Sequence, residues 1–208
     1  MNVNDEQPSP SGGRQAARSA ATQAKLIAAA RQLFAVRGFS AVGTEEIVRA
    51  AGVTRGALYH HFRDKEALFA AVYEEVEREL AEEMAARALT TMTERGPWAA
   101  MELGAELWLD ASANEEVQRI VLIDGPAVLG WEAWREVAER YGLGLVEAVL
   151  QAAIAAGELE PAPLRPLALV LLAALDELAM FVVRSPDQAE ARAQAEVVVG
   201  RLLRALRA

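Results

Sequence analysis

Apolar residues recur at three- and four-residue intervals along most of this chain, and no stretch shows the competing alternation of a half-buried strand. Leu26, Ile27, Ala30, Leu33 and Phe34 mark a first amphipathic helix, which Gly38 and Phe39 bring to a stop. Thr44 is expected to cap a second helix, with Glu45 and Glu46 in its first turn, where the macrodipole favours acids, and with Ile47 and Ala51 facing inward. Gly52 suits the left-handed turn that closes it, and Thr54 suits the N-cap of a short third helix. Val53 and Leu58 then stand where a hydrophobic staple forms. Asp64 caps a fourth helix that runs through Leu68, Phe69, Val72, Tyr73 and Val76. The remainder reads as helices, with breaks expected near Gly96-Pro97, Asp124-Gly125-Pro126, Gly157 and the group Pro161, Pro163 and Pro166.

Two further stretches set the larger organisation. Residues 1–19 are polar and interrupted by Pro8, Pro10, Gly12 and Gly13, which predicts a flexible, solvated arm bearing Arg14 and Arg18. Leu167 to Val183 is apolar almost all round, relieved only by Asp176 and Glu177; it is short for a membrane span and carries two acids, so a helix buried on several sides is expected instead. The last helix repeats Ala191, Ala195, Val198 and Leu202, flanked by Val199 and Leu206, with Gly200 permitting close backbone approach. Two such helices from each of two chains make a four-helix interface, which predicts a homodimer through the last two helices and no membrane partner.

The outward side of the third helix points to chemistry. At 100° per residue, Leu58 and His61 stay on the side of the staple, while Arg55, Gly56, Tyr59 and His60 share the opposite arc. Gly56 costs about 0.8–1 kcal/mol against Ala inside a helix, so another backbone, such as a DNA strand, is expected to approach it. Lys65 stands at the first position of the fourth helix, where a cation is mildly disfavoured unless a phosphate sits beside it.

The run Thr44 to Phe62, followed by Lys65-Glu66-Ala67-Leu68, resembles the DNA-binding domain of the tetracycline-repressor-like (TetR) family of bacterial transcriptional regulators over about residues 20 to 80. The resemblance implies an all-α fold: an N-terminal three-helix helix-turn-helix DNA-binding domain over 20–80, with the motif at about 43–62, and a C-terminal helical ligand-binding and dimerisation domain over 81–208. It implies a homodimeric repressor on a palindromic double-stranded DNA operator, released by a small organic effector of unknown identity. An alternative keeps the DNA and lets the C-terminal domain dock a protein partner. Carried over by position, Thr44, Tyr59, His60, His61 and Lys65 would contact phosphates, and Arg55, Gly56 and Ala57 would face bases beside the cap Thr54. Glu45 departs from members that carry a base-reading basic residue there. The fourth helix would act as a lever on the spacing of half-sites about 34–36 Å apart.

The net charge of −9 opposes DNA binding until it is divided along the chain. Residues 1–65 carry nine Lys/Arg against five Asp/Glu, a balance of +4, while residues 66–208 carry twelve against twenty-five, a balance of −13. Local cations govern phosphate affinity, and distant acids are screened within about 8–10 Å. The absence of cysteine removes disulfides, thiolate metal sites and cysteine nucleophiles. His60 and His61, the only histidines, point about 100° apart on a helix, so no metal or other cofactor is expected. With no glycine-rich phosphate loop either, the chain is not expected to be an enzyme. No export signal is visible, and a cytoplasmic protein is expected.

For an effector, the four tryptophans between 98 and 134 draw attention. Trp98, Met101, Ala105 and Trp108 follow one helix face, and Trp131, Trp134 and Tyr141 come after it. Such residues either line an apolar pocket or form plain core. Asp124, Asp176 and Glu177 are the acids placed to be partly enclosed, and the candidate ligand set is Trp98, Met101, Trp108, Asp124, Trp131, Trp134 and Glu177.

Overall fold

The computed structural model describes the backbone of residues 10–207 and the side chains from residue 15 onward; every described element is helical apart from one isolated bridge between Leu159 and Arg207. The chain divides into two compact units, the first ending at Val72 and the second starting at Tyr73, ahead of the 80/81 boundary expected from sequence.

The first unit holds α1 (Pro10–Arg37), α2 (Thr44–Ala51), α3 (Arg55–His61) and the opening turns of α4 (Lys65–Arg95). Its core is Leu26, Ala30, Phe34, Val42, Ile47, Leu58, Phe62, Leu68 and Phe69. The rings of Phe34, Phe39 and Phe69 meet pairwise with centroids 5.3–5.7 Å apart, within the range of favourable tilted and edge-to-face contacts.

The expected arm is helical from Pro10 onward. Proline is harmless in a first turn, and Ala16, Ala17, Ala20 and Ala21 are the best helix formers, so the helix extends beyond its packed stretch. Residues 1–9 and the Arg14 side chain lie outside the described residues. At its other end α1 stops at Gly38, whose φ of 77° and N–H bond to the Phe34 carbonyl (2.8 Å) make a left-handed cap.

Helix α2 begins one residue earlier than the sequence suggests: its N-cap is Gly43, extended and without a capping side chain, so Thr44 is the first helical residue. At the C-terminus Gly52 is left-handed (φ 65°, ψ 34°); its N–H reaches the Arg49 carbonyl, and the Val53 N–H reaches Val48, which together form a Schellman closure.

The second unit contains the rest of α4, then α5 (Pro97–Ala111), α6 (Gly125–Leu129), α7 (Trp131–Ala138), α8 (Gly144–Ala155), α9 (Leu164–Arg184) and α10 (Gln188–Leu206). Stretches of π-helix, Val117–Asp124 and Glu139–Leu143, lead into α6 and α8. The breaks at Gly96-Pro97 and Gly157 are present, both glycines having positive φ. Pro161 and Pro163 precede α9, and Pro166 falls in its first turn.

No break occurs at Asp124-Gly125-Pro126, where the chain stays helical from Val117 to Leu129; the true interruption is Gly130, with φ 79° and ψ 160°. In the π register Pro126 would donate to the Val121 carbonyl but has no N–H. The Trp134 indole Nε1 donates to that carbonyl instead, at 3.0 Å. Gly125 makes the approach possible: a Cβ there would stand 2.9 Å from Trp134 Cδ1 and 3.1 Å from the Ile120 carbonyl oxygen.

Helices α9 and α10 pack on each other and turn Ala168, Leu171, Ala179, Val182, Ala191, Ala195, Val199 and Leu203 into the unit. Helix α9 is long and apolar enough by composition to cross a membrane, with its two acids mid-helix. Val170 and Phe181 on α9, and Val197, Val198 and Leu202 on α10, face outward at 42–64% exposure. Gly200 accommodates the Arg204 guanidinium, which a Cβ would meet at 3.2 Å.

Candidate functional site

Helix α3 is short, and both its ends are fixed locally. Thr54, extended at φ −86° and ψ 157°, accepts the Ala57 N–H at 3.2 Å, and the Phe62 N–H closes on the Leu58 carbonyl at 2.8 Å. Leu58 and Phe62 are buried, which orients the helix and leaves Arg55, Gly56, Tyr59 and His60 exposed, with Ala57 and His61 half-buried. The Arg55 guanidinium lies 5.6 Å from the centre of the Tyr59 ring and 3.6 Å from Glu45, both loose surface contacts that a stronger anion would displace. At Gly56 a Cβ would meet nothing nearer than Thr54 Oγ1 at 3.9 Å, so no packing within the protein demands glycine there. A cleft beside the helix is bounded by Ala57, His60 and His61 on one side and by Arg18, Ser19 and Thr22 of α1 on the other. Thr44, half-buried, is the first residue of α2.

Lys65 differs from its neighbours. Its Nζ donates to the carbonyls of Phe39 (2.9 Å) and Val42 (3.0 Å) and sits 3.9 Å from the centre of the Phe39 ring. The ammonium therefore ties the α1–α2 connection to α4, a structural role that stands beside the phosphate contact expected of this side chain. Asp64 caps α4 as expected, accepting the Ala67 N–H at 2.7 Å. The Arg63 guanidinium, and then that backbone bond, hold its carboxyl below the usual range.

The second unit holds a partly open cavity of about 130 Å³. Its walls are apolar, from Leu80, Met84, Met101, Trp108, Val146 and Leu175, and its charged groups are Glu77, Arg135, Glu139 and Asp176. Arg135 donates to Asp176 (2.9 Å), Glu139 (3.2 Å) and the Leu169 carbonyl (3.4 Å). Glu77 is 7% exposed, and its partner is the Tyr73 hydroxyl at 3.0 Å, which also lies 3.0 Å from the Trp134 carbonyl. A phenol has one proton, so both contacts are satisfied together when Glu77 is itself protonated. Burial pushes the Glu77 carboxyl up to about 7, against the effect of the Tyr73 bond. Burial likewise raises Asp176 to about 6, with Arg135 opposing. Trp108 Nε1 is buried with no hydrogen-bond partner.

Comparison with known proteins decides the family. The family model for bacterial regulatory proteins of the tetR family matches residues 26–72, and the tetracyclin repressor-like C-terminal domain model matches residues 98–206, more than half of the chain. The TetC protein of transposon Tn10 from Escherichia coli is 31% identical over 140 residues, covering 67% of this chain and 68% of that protein. The chain belongs to the TetR family. A solved TetR-family transcriptional regulator from Pectobacterium atrosepticum superposes with a TM-score of 0.82 at 31% identity, over 92% of this chain and 96% of that one. RolR, solved in complex with resorcinol, shares the fold at 22% identity and a TM-score of 0.70, over 92% of this chain and 95% of that one. The protein is thus a helix-turn-helix transcriptional regulator, from a family of DNA-binding proteins and not of enzymes.

Within this TetR regulator, Met101 and Trp108 alone of the sequence-derived ligand set line the cavity. Trp98 is core: its backbone N–H donates to Glu158 (2.9 Å) and Arg207 covers its ring. Trp134 is buried and occupied with the Val121 carbonyl, whereas Trp131, tilted against it with centroids 5.0 Å apart, is 66% exposed. Asp124 ends the π-helical stretch away from the cavity, and Glu177 faces solvent because it follows Asp176 by 100° of helix turn. Tyr141 donates its hydroxyl to Glu74 at 2.9 Å. The polar groups that sequence reasoning missed are Glu77, Arg135 and Glu139. Glu77 carried a signal, since it lies one helical turn after Tyr73 and beside Val76, an acid on an apolar arc.

Proposed function

We propose that the protein is a homodimeric repressor that binds a palindromic operator through α3 and releases it when a small molecule fills the cavity of the second unit. The outward arc of α3 carries the reading: Arg55, Gly56 and Ala57 are offered to base edges, and Thr44, Tyr59, His60 and His61 to phosphates, while the buried Leu58 and Phe62 fix the helix beneath them. Lys65 contributes its N-terminal backbone position more than its side chain. The exposed Val170 and Phe181 of α9 and Val197, Val198 and Leu202 of α10 support pairing through the last two helices, where a second copy would bury them. Helix α4 has turns in both units, which supports its role as the lever. RolR's complex with resorcinol supports a small organic effector. Fluorescence anisotropy with duplexes from the DNA flanking the gene tests the proposal: affinity for an inverted repeat should exceed that for scrambled duplex by about a thousandfold at matched salt. Equal affinity for both overturns it.

A further inference from the structure

Resting on the reading of the cavity as the effector site, we infer that the effector is a small amphiphile with a one-ring apolar body and a single protonated amine, received by Glu77. The size follows from the cavity, since 130 Å³ is close to the roughly 150 Å³ of an apolar cavity that holds benzene. Leu80, Met84, Met101, Trp108 and Val146 offer such a ring polarizable and aliphatic walls.

The charge follows from a mismatch among the groups that face the space. Helix α4 brings Glu77, α7 brings Arg135, the π-helical turn after it brings Glu139 and α9 brings Asp176, while α5, α8 and α10 bring no ionisable group to the lining. Three acids thus face one base. The base is already engaged, as Arg135 spends its guanidinium on Asp176, Glu139 and the Leu169 carbonyl. Glu77 is left with a neutral phenol as its partner although it is the most buried of the three acids. A buried carboxylate without a counter-ion is unfavourable, so a proton relieves it, consistent with burial raising its carboxyl. An incoming ammonium replaces that proton with a charge-assisted hydrogen bond, whereas a carboxylate ligand adds a further negative charge to a site whose one base is already engaged. The unpartnered Trp108 N–H leaves a place for an acceptor on the ligand, such as a ring hydroxyl.

Isothermal titration of the full-length, DNA-free protein at neutral pH separates the possibilities, using 2-phenylethylamine, 2-phenylethanol and phenylacetate as probes of equal shape. The amine is expected to bind at least about tenfold more tightly than the alcohol, and phenylacetate least of all. In Glu77→Gln the amine and the alcohol should converge, with retained alcohol binding showing that the cavity is intact. If that variant fails to fold, the ranking of the three probes on the native protein stands as the test. The inference is overturned if the alcohol or phenylacetate matches the amine, if the amine preference survives in Glu77→Gln, or if the amine shows no binding up to about 10 mM. Operator release is read separately by anisotropy. An amine that binds without releasing DNA refutes the repressor reading and leaves the ligand class standing.

Discussion

Replacing Lys65 by Met removes the ammonium while keeping most of the aliphatic stem, and it separates a structural role from a DNA-contacting one. The native Nζ donates to two backbone carbonyls, Phe39 and Val42, and lies over the Phe39 ring. Hydrogen bonds to a charged group contribute about 1.5–3 kcal/mol each, and a partly exposed cation over a ring about 0.5–1 kcal/mol. Water can reach the half-buried Phe39 and recover part of the loss, so a net destabilisation of about 2–4 kcal/mol is expected. Urea unfolding of the full chain, followed by far-UV circular dichroism, should show a lower midpoint for the transition that reports the first unit. Tyr59→Ala is the companion variant. Because Tyr59 is 44% exposed with only a loose Arg55 contact, its midpoint should move by no more than about 0.5 kcal/mol equivalent, while operator affinity falls. An unchanged midpoint in Lys65→Met, together with a large loss of DNA affinity, would refute the structural assignment and return Lys65 to the phosphate contacts.

Gly125→Ala should destabilise the second unit by about 1–3 kcal/mol in the same urea assay, because the new methyl group meets Trp134 and the Ile120 carbonyl at 2.9 and 3.1 Å. Thr54→Ala should cost about 1 kcal/mol through loss of the cap on Ala57, again read by urea unfolding. Glu77 binds its proton more tightly folded than unfolded, so its favourable contribution is complete below about pH 4 and is lost as pH rises to about 7; Glu77→Gln should gain on the native protein by up to about 3 kcal/mol across that window in pH-dependent denaturation. Val198→Asp on the outward face of α10 should shift sedimentation equilibrium from dimer to monomer at micromolar concentration.

The parts of this fold that are legible in the sequence are those whose partners lie within a few residues. Gly52, Thr54 and Asp64 each close or open a helix through bonds spanning at most five positions, and the exposed arc of α3 follows from the burial of Leu58 alone. The structural bonds of Lys65 are not legible in the sequence because its partner carbonyls stand 26 and 23 positions away. Gly125-Pro126 looked like punctuation for a similar reason, since what it accommodates is an indole arriving from a different helix. The cavity was hardest to foresee. Tryptophans advertise themselves in a sequence, yet of four only Trp108 lines the space, and the polar character of the cavity comes from single acids and one arginine scattered over α4, α7, the π-helical turn after it and α9. Only packing brings those positions together.

The bond from the Trp134 indole to the Val121 carbonyl has an evolutionary consequence. A proline at 126, a residue without a side chain at 125 and an indole at 134 answer one another's deficits, so none can be exchanged singly without exposing another's defect. Among descendants of this regulator the trio should be inherited or abandoned as a block, and a homologue with an ordinary residue at 126 is free to lose the tryptophan as well.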